Sequence, residues 1–313
     1  MSTYANDHDV TDRIRTTDSR EVNQEVDRIF LDLYPEASEQ RLDRAFTDVT
    51  ALYGGRYPGY LQCDTAYHDI QHVLDVTLAM ARLIDGYERS RSGTESLGPE
   101  LFELGVITAL FHDSGYIRAT REGDRQGAEF TLIHVSRGAL FLRNYLPSVG
   151  LGQQADIAAE LIHFTGYERP ISSIRVPSLA YRLLGNLLGS ADIIAQMADR
   201  CYLEKCRDRL YPEFVAAGIA RKKQGNGAVE IVFSSGEDLL HKTPIFYQSA
   251  TRRLQQDLEG GYTYAERHFG GSNLYMQSVE KNIRFAQALS DTKDAPSLKR
   301  IPPNTKHKSG NGS

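Results

Sequence analysis

Residues 101–112 (Leu-Phe-Glu-Leu-Gly-Val-Ile-Thr-Ala-Leu-Phe-His) are apolar on nearly every side. A helix with that pattern has no flank suited to water, so it needs other helices around it. The rest of the chain offers them. Leu42, Phe46, Val49 and Tyr53 recur at helical spacing and stop at Gly54-Gly55. Ile70, Val73, Leu74, Leu78, Ala81 and Ile84 give residues 67–87 one buried face. Residues 128–146 and 153–163 keep the same period. A longer stripe over residues 179–210 runs through Leu183, Leu184, Leu187, Leu188, Ile194 and Met197. Thr243-Pro244 reads as the start of a helix to residue 258, and Ser272 as the cap of a last one bearing Tyr275, Val279, Ile283, Ala286 and Leu289. The only strand-like stretch, residues 230–233, follows an expected loop at 220–229. The expectation is an all-α, single-domain helical bundle over residues 21–291. Residues 1–20 and 292–313 have little to bury and read as disordered.

Composition narrows the partners. A net charge of −5 leaves no general basic surface, which argues against nucleic-acid binding. No apolar run approaches the roughly 18 to 20 residues of a membrane span, and residues 1–20 lack the apolar core of a signal peptide. Cys63, Cys201 and Cys206 are odd in number and show no Cys-x-x-Cys spacing, so a disulfide framework is not expected and a reducing cytoplasm fits.

The chemistry gathers in three places. Tyr67-His68-Asp69-Ile70-Gln71-His72-Val73-Leu74-Asp75-Val76 sets His68, His72 and Asp75 on one face if it is helical. Phe111-His112-Asp113-Ser114-Gly115-Tyr116 ends the apolar helix with a His-Asp pair. Gly189-Ser190-Ala191-Asp192-Ile193-Ile194 places an aspartate inside another helix. A histidine, a His-Asp pair and a distant aspartate make an N/O cage for a divalent cation such as Mg, Mn, Zn, Co or Fe. Each residue also has a plainer reading. His68 and His72 fit a polar stripe, Asp192 a cap or ion pair, and His134 and His163 satisfied core positions. Arg118, Arg121 and Arg125 lie in a polar loop that suits phosphate recognition or a solvated surface alike.

The order His, His-Asp, Asp on helices resembles the HD-domain metal-dependent phosphohydrolases. Within them, Tyr67-His68-x-x-x-His72-x-x-Asp75-Val76 is similar to the signature of the class I cyclic-nucleotide phosphodiesterases. The resemblance covers roughly residues 60–200. It implies that His72, His112, Asp113 and Asp192 hold the metal, with Asp113 also in the catalytic set. It implies that His68 gives a proton to the leaving oxygen while a metal-activated water attacks phosphorus, and that Asp75 orients a neighbouring histidine. Tyr116 stands where the phosphodiesterases carry a further histidine. The adjacent His-His and the Gly-Tyr-Pro of the dinuclear cyclic-di-nucleotide hydrolases are lacking. In related subfamilies later histidines complete a second metal site, a role open to His134 and His163. The implied activity is hydrolysis of a phosphate ester of a nucleotide or cyclic nucleotide. The alternatives are a dinuclear iron oxygenase on the same scaffold and a non-catalytic nucleotide-sensing module.

Overall fold

The computed structural model describes residues 6–93, 95–223, 225, 228–291 and 297–303. The chain is predominantly α-helical. Asp18 caps α1 (Ser19–Leu33) by accepting from the Arg20 amide at 2.9 Å, and α2 (Gln40–Tyr53) follows. Asp69 caps α3 (Ile70–Ser90), and Pro99 sits in the first turn of α4 (Gly98–Phe111). α4 is buried continuously from Phe102 to Phe111, as its pattern requires. After α5 (His134–Tyr145) and α6 (Ala155–Leu161), Ser178 caps α7 (Leu179–Ala198). α3 is the hub, packed against α1, α4 and α7. The short α8 (Tyr202–Lys205) and α9 (Tyr211–Ala216) lead to the antiparallel strands β1 (Arg221–Lys223) and β2 (Val229–Ile231). Then come α10 (Gly236–Arg252), α11 (Tyr264–His268), which lies on α3, and α12 (Leu274–Asp291), which lies on α7. Among the described residues no helix is long and apolar enough to cross a membrane. The three cysteines are free.

Several boundaries differ from the sequence reading. The long helix expected over residues 179–210 breaks at Asp199. The Asp199 carboxylate accepts from the Cys201 amide at 2.6 Å and pairs with Lys205, so it begins new helical turns instead of extending α7. Thr243-Pro244 does not start a helix. The Thr243 hydroxyl donates back to the Leu239 carbonyl at 3.1 Å and Pro244 lies inside α10, whose cap is Ser235. Residues 128–133 form a 3-10 turn and its exit, and α5 begins only at His134. Residues 221–223, expected in a loop, pair with β2.

The chain ends also depart from expectation. Asp9, 7 % exposed, pairs at 2.6 Å with Arg82, which is 1 % exposed, and the Tyr275 hydroxyl accepts from Arg82 at 3.0 Å. A buried guanidinium is costly without such partners, so Arg82 ties both the N-terminal segment and α12 to α3. In the expected tail, the Arg300 amide donates to Glu204 at 3.1 Å. Asn6 donates to the Ile301 carbonyl at 3.1 Å, so the first and last described segments meet. Residues 1–5, 292–296 and 304–313 of the expected disordered ends lie outside the described residues.

Candidate metal centre

The first turn of α3 is fixed by the Asp69 side chain, which accepts the His72 amide at 3.1 Å. That bond sets where the His72 ring leaves the helix. His112 is the residue at which α4 ends, and its Nδ1–H donates to the Ala109 carbonyl at 2.7 Å. The tautomer so chosen leaves Nε2 as the lone-pair nitrogen. Asp113 follows where the helix has just ended, and Asp192 enters from α7.

These four side chains converge. His72 Nε2 lies 3.2 Å from Asp113 Oδ2 and 3.5 Å from Asp192 Oδ1. His112 Nε2 lies 3.3 Å and 3.9 Å from the same two oxygens. His72, His112 and Asp113 each bring one ligand atom within 4.8 Å of the others. His112 Nε2 and Asp113 Oδ2 are buried, yet neither has a hydrogen-bond partner among the described residues. Close approach without hydrogen-bond geometry is the arrangement of atoms that share a cation.

With no cation between them, the carboxylates favour a proton on His112 in its place. Burial works against a charged His112, but the Asp113 carboxylate, aided by Asp192, outweighs it and holds the pKa up at about 9. Burial would raise the Asp113 carboxyl, but His112, His72 and His68 keep it well below the usual carboxylate range.

His134 joins the group. Its Nδ1–H donates to the Thr131 carbonyl at 2.6 Å, and its Nε2 stands 3.6 Å from Asp113 Oδ1. Asp113 therefore turns one oxygen to His72 and His112 and the other to His134. Burial lowers the His134 pKa, with the charge of His68 adding to it against that of Asp113. The turn Ser114–Tyr116 runs so close to α5 that a Cβ on Gly115 would fall 1.9 Å from the His134 carbonyl oxygen. Only glycine allows that approach. His163 is buried on the turn Ile162–Phe164, and its Nδ1 is joined to Glu168 at 2.6 Å, not to the cluster.

His68 is not one turn before His72 on a helix. It lies in the bend ahead of the Asp69 cap. Its ring reaches the site by stacking on Tyr116, at 4.3 Å between centroids and 14° between planes. Tyr116 stacks on His134 in turn at 4.5 Å. His68 Nδ1 lies 2.6 Å from Glu213, whose other oxygen accepts the Tyr67 amide at 2.6 Å. Burial favours the neutral His68 ring, but Glu213 outweighs it and the pKa rises. The Tyr67 hydroxyl donates to Gln196 at 3.2 Å, and the Gln196 amide donates to Asp192 at 3.4 Å. Sequence reasoning missed both Glu213 and Gln196. Gln196 had a signal, four residues after Asp192 on one helix face.

Two expected roles change. Asp75 does not orient a histidine. It bonds Thr16, stands near Asp199 and Lys205, and lines a separate cavity of about 330 Å³ with Gln71 and Arg300. It is three residues past His72 but four past Gln71, and its carboxylate turns to the Gln71 side, into that cavity. Arg118 donates to the Arg125 carbonyl at 2.9 Å and pairs with Asp64 at 3.3 Å, so it holds its own loop together. Arg125 pairs with Glu129, and Arg121 is exposed. Comparisons with protein-family models, curated proteins and solved structures find no match for this chain.

Proposed function

We propose that the chain is a metal-dependent phosphohydrolase of the HD-domain kind, acting on a phosphate ester of a nucleotide or cyclic nucleotide. The observation that carries the reading is the convergence of His72, His112, Asp113 and Asp192, with His112 Nε2 and Asp113 Oδ2 buried and unbonded. Those orphaned atoms fit a divalent cation, which the four residues would hold. When bound, such an ion lowers the pKa of a water and offsets charge on non-bridging phosphoryl oxygens. The chain supplies the rest. Glu213 favours the protonated form of His68, and the Tyr116 ring fixes its plane beside the cage. A protonated imidazole there can deliver its Nε2 proton to a departing alkoxide, the one role the cage leaves unfilled. A nucleotide sensor would have no use for that His68–Glu213 pair.

The test is hydrolysis of cyclic nucleotides and of bis(4-nitrophenyl) phosphate by the chain loaded in turn with Mn, Mg, Zn, Co or Fe. No release of product with any of these ions would end the reading. One observation favours a second reading. Asp113 faces His134 with the oxygen it does not turn to His72 and His112, which supports a carboxylate shared by two ions, as in a dinuclear iron oxygenase. Two irons per chain, with oxygen consumption and no phosphate ester cleavage, would select it.

A further inference from the structure

The cavity of about 330 Å³ beside Asp75 is bounded by α3, α7, α12 and the segments before α1 and after α12. None of its described lining residues belongs to the cage of His72, His112, Asp113 and Asp192. Its volume suits a small organic ligand.

Most of the charge around it is spent within the protein. Asp9 pairs with Arg82 at 2.6 Å, and Asp12 pairs with Arg200. Asp199 pairs with Lys205, whose ammonium also donates to Gln71 at 2.9 Å. Asp75 is the exception. Its hydrogen bond comes from the uncharged Thr16, and Lys205, the cation that bears on it, is already held by Asp199. Among the described residues no ammonium or guanidinium pairs with it. Burial, with Asp199 adding to it, pushes the Asp75 carboxyl well above its usual range. A carboxyl in that setting keeps its proton, and a cationic group brought beside it would release it.

The imbalance is reversed at the rim. Lys281 and Arg300 line the same cavity and are exposed. Neither side chain pairs with a carboxylate among the described residues, and the Arg300 guanidinium donates to the Arg200 carbonyl. Next to Lys281 on α12, Asn282 spends its amide nitrogen on the Met197 and Asp199 carbonyls at 2.9 and 2.8 Å, which leaves its oxygen as an acceptor. A simple anion would meet Asp75 inside, and a simple cation would meet Lys281 and Arg300 on the way in. A ligand with both charges, one at each end, escapes both conflicts.

We propose that this cavity is a second binding site, for a small zwitterion whose primary ammonium meets Asp75 and the Asn282 oxygen and whose carboxylate or phosphate meets Lys281 and Arg300. The site is independent of the phosphohydrolase reading, because no cage residue takes part in it.

Calorimetric titration of the full-length chain with β-alanine, γ-aminobutyrate, ε-aminocaproate and phosphoethanolamine tests this, with butylamine and butyrate as single-charge controls. At least one zwitterion should bind about tenfold more tightly than either control. Preference for phosphoethanolamine or for a carboxylate names the anionic end, and either supports the site. Asp75→Asn, nearly isosteric, should weaken that binding about ten- to a hundredfold, the loss of a charge-assisted contact. Lys281→Gln should weaken it by less, because Lys281 is exposed. No binding by any of the four zwitterions, controls that bind as tightly, or parent-like affinity in Asp75→Asn would overturn the proposal. If Asp75→Asn does not fold, Ser278→Phe decides, since it adds bulk to the cavity from α12 and removes no charge. Loss of binding there supports the site, and parent-like affinity overturns it.

Discussion

Glu213 reaches across 145 residues of chain to hold the Nδ1 of His68 at 2.6 Å. The carboxylate is buried, and its second oxygen is fixed by the Tyr67 amide. A histidine so held is oriented by one partner, which also favours its charged form.

Glu213→Gln should therefore alter the pH profile. His68 can act as an acid only while protonated, and Glu213 raises its pKa above 6.5 against the effect of burial. Removing the charge lowers that pKa. The alkaline limb of activity should move to lower pH while bound metal is unchanged. An alkaline limb at the same pH in both proteins would assign it to another group.

His68→Ala should retain metal and fold yet slow hydrolysis. For an alkyl ester with a poor leaving group the loss should be about 10²- to 10⁴-fold, the range of general acid–base catalysis. For bis(4-nitrophenyl) phosphate the loss should be much smaller, since nitrophenolate departs without a proton. Equal losses on the two esters would remove the general-acid role.

On the proposed reading, His72→Ala, His112→Ala, Asp113→Ala and Asp192→Ala should each sharply lower metal content, because each removes one of four converging side chains. Asp192 is the most exposed of the four, so full occupancy in Asp192→Ala is the outcome that would exclude it. On the two-ion reading His134→Ala should lose one ion and keep the other, by elemental analysis.

The cage was legible because its members are rare, ligand-type residues in a fixed order, and because α4 is apolar enough to force its end into the core. Asp192, His72 and the His112-Asp113 pair were nominated by their order along the chain and by the resemblance that order carries. His68 was nominated for the wrong reason. A helix through residue 68 would aim it at the site, whereas the Asp69 cap stops the helix and stacking on Tyr116 aims it instead. Glu213 left no trace, since it arrives after the break at Asp199 and a partner so far along the chain has no periodicity.

A pH-dependent stability should appear once metal is chelated. His112 rises from 6.5 to about 9 in the fold through Asp113, despite burial. A raised pKa stabilises fully below the unfolded value and is lost as pH climbs through the folded one. The Tm of the chelated chain should fall between pH 6.5 and about 9, and the metal-loaded chain should lack that slope. A flat profile after chelation would mean that His112 is not protonated beside Asp113.

Asp9→Ala should cost about 3–5 kcal/mol, the usual penalty for stranding one partner of a buried ion pair. Trimming residues 1–18 should lower stability at least as much, because Asp9 is the buried partner of Arg82. Denaturant melts of both would settle it, and an unchanged midpoint on trimming would show that Arg82 finds water or another partner.

The contact between Asn6 and Ile301 brings the first and last described segments together. In a chain trimmed to residues 6–301, those two neighbouring residues can be joined by a short linker without crossing the bundle. A circular permutant sealed there and reopened at the exposed Gly225, between β1 and β2, would keep every helix that feeds the metal centre intact. The same closeness means that fluorophores placed at residues 6 and 301 would report loosening of the Asp9–Arg82 clasp as a gain in distance.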